Sequence, residues 1–192
     1  VAQCCEIRIP LSQDLRLEYA VAGGRAKFRI ASENPEKDAL VKKLLEKHKG
    51  DQVLVIGQYL DQLESLVEQI KAPIIQGKTP ASERGELYKK FRQGEIGVLV
   101  VSKVANFAVD LPDANVAIQL SGTFGSRQEE AQRLGRILRP KRDGGPAHFY
   151  TLVTRDSREQ EFARKRQTFL TEQGYHYTIR DAGDVFSESN DA

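Results

Sequence analysis

The stretch from Ser126 to Pro140, SRQEEAQRLGRILRP, holds the residue types best suited to chemistry. Ser126 followed by Glu129 has the capping-box spacing that starts a helix, and Pro140 stops one because it has no N–H and clashes with the preceding turn. At about 100° per residue, Gln132, Arg136 and Arg139 fall on one narrow arc, while Ala131, Leu134, Ile137 and Leu138 turn towards a core. Gly135, beside that arc, lowers helix stability by roughly 1 kcal/mol relative to Ala and leaves room for another surface to approach. Arginines near a helix C-terminus also complement the helix dipole, which accounts for their sign. Planar guanidinium donors focused on one side with a glutamine are suited to more, since they grip phosphate oxygens two at a time. The chemistry expected here is phosphate recognition.

Three further segments place polar residues just after apolar runs. Gly77-Lys78-Thr79 imitates the end of a phosphate loop, but that loop needs a glycine five residues before Gly77 so that backbone donors can wrap the phosphate. Ala72 stands there, followed by Pro73 and the strand-like Ile74-Ile75. Thr79 before Pro80 reads equally well as a helix cap. In Val98 to Asn115, VLVVSKVANFAVDLPDAN, an apolar strand ends in Ser102-Lys103 and an irregular segment then delivers Asp110, which is either a functional acid or a loop cap. Val53 to Leu63 ends its apolar run at Gln58 and Tyr59. No Asp-Glu-x-His box follows any strand. His48, His148 and His176 have no metal-ligand spacing and are expected to be structural, and no metal site is expected. Arg164-Lys165-Arg166 reads as a solvated helix face or a contributor to a nucleic-acid channel.

Short, almost wholly apolar strands alternating with amphipathic helices must position these residues. Strands are expected at Ala2–Pro10, Val53–Ile56, Pro73–Ile75, Gly97–Val101, Val116–Leu120, His148–Val153 and Tyr175–Ile179. Helices are expected at Ser12–Ala20, from Asn34 and Pro35 to Gly50, at Asp61–Lys71 and at Pro80–Arg92. The arginine-bearing helix follows, and a last one runs from an Asp156/Glu159 capping pair to Glu172. Apolar strands of this kind build a parallel sheet covered on both faces. The class is α/β, doubly wound, and ligands in such sheets gather at the carboxyl ends of the strands. The loops after Ile56, Ile75, Val101 and Leu120 should therefore share one rim. Residues 1–33 are expected to form an entry strand and connector, 34–182 the domain proper, and 183–192 a flexible tail.

The chain has 192 residues, net charge +2, 40% apolar and 29% charged residues, the composition of a globular protein with one good core. Its basicity is local, with six cations against two acids between Arg127 and Arg142. No apolar run approaches the ~20 residues that cross a membrane. Cys4 and Cys5 are adjacent, poor geometry for a mutual disulfide, so a reduced intracellular compartment is expected. The chain starts at Val1 and contains no methionine, which suggests a piece of a longer protein.

Gln132-Arg133-Leu134-Gly135-Arg136-Ile137-Leu138-Arg139 resembles motif VI of superfamily 2 helicases, and with Gly125 to Ala131 it resembles the XPB family of DNA helicases in particular. Val98 to Asn115 is similar to that family's motif V, Val53 to Leu63 to motif IV, and Gly77 with Arg84 and Phe91 to motif IVa. The resemblance implies a second RecA-like lobe, a P-loop NTPase fold without its own Walker A, from an ATP-dependent DNA helicase or translocase moving 3′ to 5′. It implies that Arg136 and Arg139 act as arginine fingers, with Gln132, Asp110 and Gly135 on the nucleotide side. Ser102, Lys103, Gln58, Tyr59, Gly77 and Lys78 would meet the DNA backbone independently of sequence. ATP with Mg²⁺ would be bound mainly by an N-terminal lobe, which is an expected partner together with DNA and a repair nuclease or transcription partner. The compartment would be cytoplasm or nucleoid in a prokaryote and the nucleus in a eukaryote. Ser12 to Ala31 is shorter and less basic than the thumb-like insertion often found there in the family. The alternative is a nucleic-acid-binding or regulatory module that keeps the fold without hydrolysis.

Overall fold

The seven described strands all pair in parallel, so each is joined to the next by a crossover and not by a tight hairpin. The computed structural model describes residues 2–102, 113–121, 135 and 137–188. In chain order the elements are β1 (Gln3–Ile9), α1 (Gln13–Val21), α2 (Gly24–Ser32), α3 (Glu36–Lys47), β2 (Val53–Gly57), α4 (Leu60–Ile70), β3 (Ile74–Ile75), α5 (Ala81–Arg92), β4 (Val98–Ser102), β5 (Val116–Gln119), β6 (His148–Thr154), α6 (Arg158–Glu172), β7 (His176–Asp181) and α7 (Ala182–Phe186). The sheet order is β3-β4-β2-β5-β6-β1-β7. Every ladder is parallel, with Ile56 opposite both Val101 and Gln119, and Ile9 opposite Thr154.

Period-two alternation divides the strand side chains between two cores. Val53, Val55, Val100, Val116, Ile118, Tyr150 and Leu152 pack under Leu40, Val41 and Leu44 of α3, Leu63 and Leu66 of α4, and Val185 of α7. Leu54, Ile56, Leu99 and Val101 point the other way, onto Tyr88 and Phe91 of α5 and onto Ile137. Cys4, Ala117 and Phe149 pack with Leu138 and Leu170 on that same side. Both faces are covered, as the doubly wound class requires, and each fully buried aliphatic side chain contributes roughly 1.5–3 kcal/mol.

Several local features differ from the sequence-based expectation. Residues 24–32 form α2, although Gly23-Gly24 reads as a break; Gly23 is the extended N-cap residue of this helix. The cap of α6 is Ser157, whose hydroxyl accepts from Glu159 N, while Asp156 lies just outside in the left-handed region at φ 55°. Asn34 does cap the next helix, its Oδ1 accepting from Glu36 N at 3.1 Å. β1 lies inside the sheet between β6 and β7, so the first residues are part of the main core. Ala182–Phe186 is helical with Val185 buried, so the tail expected from residue 183 is ordered as far as that helix. Arg166 is buried, unlike exposed Arg164 and Lys165, so the three cations do not share one solvated face. Cys4 is buried and Cys5 half-buried, on successive residues of a strand that turns them to opposite faces.

Candidate nucleic-acid interface

Four strands end on one rim. The β2 end brings Gln58 and Tyr59, the β3 end Gln76 to Thr79, the β4 end Ser102 and the β5 end Leu120 and Ser121. Gly57 allows the tightest approach: a Cβ there would lie 2.7 Å from Leu63 Cδ2 and 3.3 Å from Ser121 Oγ, so any larger residue would push the Leu63 side chain aside. With the backbone drawn in, Gln58 N donates to Ser121 Oγ at 2.9 Å, tying the two loops together.

The Gly77 turn is braced from behind. Arg84 donates to the carbonyls of Gln76 at 3.0 Å, Gly77 at 2.8 Å and Thr79 at 2.9 Å. Gln76 N donates to Thr79 Oγ1 at 2.9 Å, and Thr79 N donates to Gln76 O at 3.1 Å. Thr79 therefore closes the turn and does not cap α5, which has no side-chain cap. The Gln76 and Thr79 N–H groups are thus engaged within the turn, which holds Gly77 and Lys78 at the surface. Ser102 sits on the same rim but is 1% exposed and does not present its hydroxyl to solvent.

Beneath the rim lies a buried polar hub that sequence reasoning missed. Lys37 is fully buried, and its Nζ donates to Leu120 O at 2.8 Å, Ser32 O at 3.1 Å and the Glu159 carboxylate at 2.9 Å, which satisfies all three ammonium protons. Glu159 Oε1 also accepts from Thr154 N at 2.9 Å. Thr154 Oγ1 donates to Ala31 O at 2.6 Å and Gln62 Nε2 to Ser32 O at 2.8 Å, so the last carbonyls of α2 are fixed against the rim. Burial pulls the Lys37 ammonium below its usual range, partly offset by Glu159. A lysine in the first turn of an amphipathic helix reads as solvated, and only the fold brings Glu159 to it.

Fixing α2 creates an open groove of about 700 Å³ lined by Gly24, Arg25, Phe28, Arg29, Gln58, Tyr59, Arg158 and Phe162. Two residues expected at the interface, Gln58 and Tyr59, form its floor with α2 and α6 as walls. Arg29 lies 5.1 Å over the Tyr59 ring. Burial pushes the Tyr59 hydroxyl above its ordinary value, offset by Arg29.

Of the arginine-bearing segment, Gly135 and the residues from Ile137 onward are described. Lys103, Asp110, Gln132, Arg136 and the Ser126/Glu129 cap lie outside the described residues. Ile137 and Leu138 are buried as expected. Leu138 already bridges Ala114 in parallel, so the backbone has left the helix and the arc drawn through Arg139 does not hold at its last member. Arg139 N donates to Ala114 O at 3.0 Å, which places it at the amino end of β5, away from the rim. Its guanidinium donates to Gly135 O at 3.1 Å and Leu138 O at 3.2 Å, and Nε lies 3.7 Å from Asp113. Because Pro140 ends the helix, Arg139 takes up the orphan carbonyls, the dipole-complementing role. A Cβ on Gly135 would meet only Tyr175 Oη, at 3.6 Å, so the described residues do not themselves require glycine there.

His48 and His148 are structural, while His176 is exposed on β7. His48 bonds Tyr150 Oη at 2.6 Å and Asp51 at 3.0 Å, and His148 stacks on Tyr150 at 5.9 Å. Burial lowers the His48 imidazole and takes that of His148 down to about 4, with His48 and Lys141 adding to the effect. Burial raises the Tyr150 hydroxyl.

A parallel sheet wrapped on both faces, with its polar loops on the carboxyl rim, has the architecture of a RecA-like helicase lobe. The C-terminal domain of the DEAD-box protein Dbp5 superposes with a TM-score of 0.70 at 15% identity, over 97% of this chain and 94% of that one. The E. coli DEAD-box protein SrmB matches with a TM-score of 0.59 at 18% identity, over 96% and 93%. In sequence, residues 1–191 match the ERCC3/RAD25/XPB C-terminal helicase family, and the chain belongs to it. The DNA 3′-5′ helicase XPB of Mycobacterium tuberculosis is 58% identical over 184 residues, covering 96% of this chain and 34% of that protein. The XPB/SSL2 helicase/translocase subunit of the general transcription and DNA repair factor IIH of Saccharomyces cerevisiae is 36% identical over 183 residues, covering 92% and 22%. The chain thus spans about a third or less of the length of these relatives. Among the described residues, no helix is long and apolar enough to cross a membrane.

Proposed function

We propose that this domain is the second motor lobe of an ATP-dependent DNA translocase that moves 3′ to 5′ inside the cell. The observation that carries the proposal is the family match across residues 1–191, in a chain that spans only a third of relatives named as 3′-5′ helicases. The rim fits a DNA backbone: Gln58, Tyr59, Gly77 and Lys78 stand on one edge, with Lys103 in the segment that follows Ser102. These are polar and cationic groups that meet phosphates and read no base edge. The Gly77 turn, braced by Arg84, holds its cation without offering a phosphate loop, so phosphate binding by a Walker A belongs to the N-terminal lobe.

On the nucleotide side, Gln132, Arg136 and Asp110 are assigned by motif, and Gly135, from the same motif as Gln132 and Arg136, is exposed. The residues suit a triphosphate, because guanidinium forks match its oxygens. ATP with Mg²⁺, when bound, supplies the free energy for opening and closing the two lobes. Arg136 would orient and stabilise developing phosphate charge from across the cleft. Arg139 would do so only after releasing Gly135 O and Leu138 O, so it is the weaker of the two fingers. The test is ATP turnover by the separate domain and by the full-length protein, each with DNA. Turnover is expected only in the full-length protein; robust DNA-stimulated hydrolysis by the separate domain would refute the two-lobe assignment.

A further inference from the structure

The groove between α2 and α6 has a chemistry that backbone contacts alone do not use. Phe28 and Phe162 meet edge to face, with centroids 5.5 Å apart at 80°, and Phe162 is 41% exposed. A partly solvent-exposed aromatic ring in an open groove offers a flat apolar surface. Lys165 Nζ lies 6.0 Å from the centre of that ring. Among the described lining residues there are three arginines and no acid. Arg29 is engaged by Glu33 and lies 3.5 Å from Asp61, whereas Arg25 and Arg158 have no carboxylate partner among the described residues. The groove therefore combines an exposed ring with two free guanidinium groups, and its volume of about 700 Å³ admits a base with its sugar.

This combination selects a ligand with a flat π-face and adjacent negative charge. A base inside a duplex has both faces covered by its neighbours, while an unstacked base in a single strand has one to give. We infer that this groove binds single-stranded DNA through a base: Phe162 stacks on one unstacked base, Phe28 holds that ring from the side, and Arg25 and Arg158 take the flanking phosphates. The inference rests on the proposal that the domain works on DNA, and it adds to the rim a contact that recognises a base's face without reading its sequence. The groove is pre-formed, because Lys37, Gln62 and Thr154 hold the end of α2 through buried bonds to Ser32 O and Ala31 O.

The experiment compares a short oligo(dT) with an abasic backbone of equal length, each titrated against the full-length protein at fixed salt. Wild type is expected to favour oligo(dT) by on the order of five- to a hundredfold, the range for one base stacked on an aromatic ring. Phe162→Ala should lose that preference while its affinity for the abasic strand stays unchanged. Phe162→Tyr should restore the preference, and Phe162→Leu, which keeps bulk without a ring, should not. Arg25→Ala and Arg158→Ala should weaken both strands alike. Circular dichroism matching wild type identifies the variants that are folded. A folded Phe162→Ala that keeps the preference, or displacement of neither strand by loss of the ring while an acidic peptide competes for the groove, overturns the inference. Equal binding of both strands by wild type overturns the groove alone and leaves the DNA proposal standing. Failure of wild type to bind either strand removes both.

Discussion

The two edges of the sheet carry similar residues in opposite situations. At the amino edge, Asp51 is held by His48 at 3.0 Å and Lys141 at 2.9 Å, Arg139 faces Asp113, and Gln52 N bonds Asn115 Oδ1 at 3.0 Å. Opposite charges there meet one another. At the carboxyl edge Lys37 and Glu159 pair underneath and Arg29 pairs with Glu33 at the surface, while the exposed cations Arg25, Lys78 and Arg158 have no carboxylate partner among the described residues. The cations Lys141 and Arg139 are engaged at the amino edge, whereas Arg25, Lys78 and Arg158 at the carboxyl edge are held by no described carboxylate. A parallel sheet makes this division natural, since every strand delivers its outgoing loop to the same rim.

The largest expected effect tests whether the carboxyl edge depends on its buried support. Lys37→Met removes one partner of a buried pair and leaves the Glu159 carboxylate uncompensated, which should cost about 3–5 kcal/mol in urea unfolding. Replacing both residues by Met should recover part of that loss. Lys141→Ala, at the amino edge, breaks a partly solvated pair and should cost under about 1 kcal/mol. Equal losses at the two edges would erase the distinction.

The amino edge should reveal itself through pH. His148 titrates near 4 in the fold against 6.5 in an unfolded chain, and burial lowers His48 in the same direction. Both rings, packed beside Tyr150, Lys141, Lys47 and Asp51, bind protons more readily when unfolded. Their contribution to stability is therefore complete above pH 6.5 and declines as pH falls towards about 4. Urea midpoints measured from pH 7 to 4.5 should fall through that window, and His148→Phe should flatten the decline. A profile unchanged by His148→Phe would show that this ring is not the source.

A smaller effect separates the edges functionally. Each phosphate contact contributes a little under one unit to the slope of log affinity against log salt. Lys78→Ala should lower that slope by about one, whereas Lys141→Ala, whose ammonium is held by Asp51, should leave it unchanged.

Which parts were legible in the sequence follows the same division between local and distant causes. The apolar runs of β2, β4 and β5 and the stripes Leu40-Val41-Leu44 and Leu63-Leu66 announce themselves through periodicity, and the shared rim follows from parallel pairing. Gln58, Tyr59, Gly77 and Lys78 were placed on that rim by their positions after strands. Lys37 could not be read, because its partner Glu159 is 122 residues away and nothing local marks either as buried. The groove was hidden for a related reason: α2 begins at a Gly-Gly break, and Phe28 meets Phe162 only after α6 has folded against it. Arg139 was misplaced by extending helical geometry through a residue that precedes proline, where the chain turns extended.

The assignment of this domain as a motor lobe is tested most directly at Arg136, by ATP turnover of full-length Arg136→Ala with saturating DNA. A guanidinium aimed at charge developing on the transferred phosphate acts more strongly in the transition state than in the ground state. Turnover should fall by at least about 10³ while ATP affinity changes little, Lys at this position should not rescue it, and Arg133→Ala, about 100° from Gln132 at helical spacing, should cost far less. Normal hydrolysis by a folded Arg136→Ala, or equal damage from Arg133→Ala, would contradict the assignment.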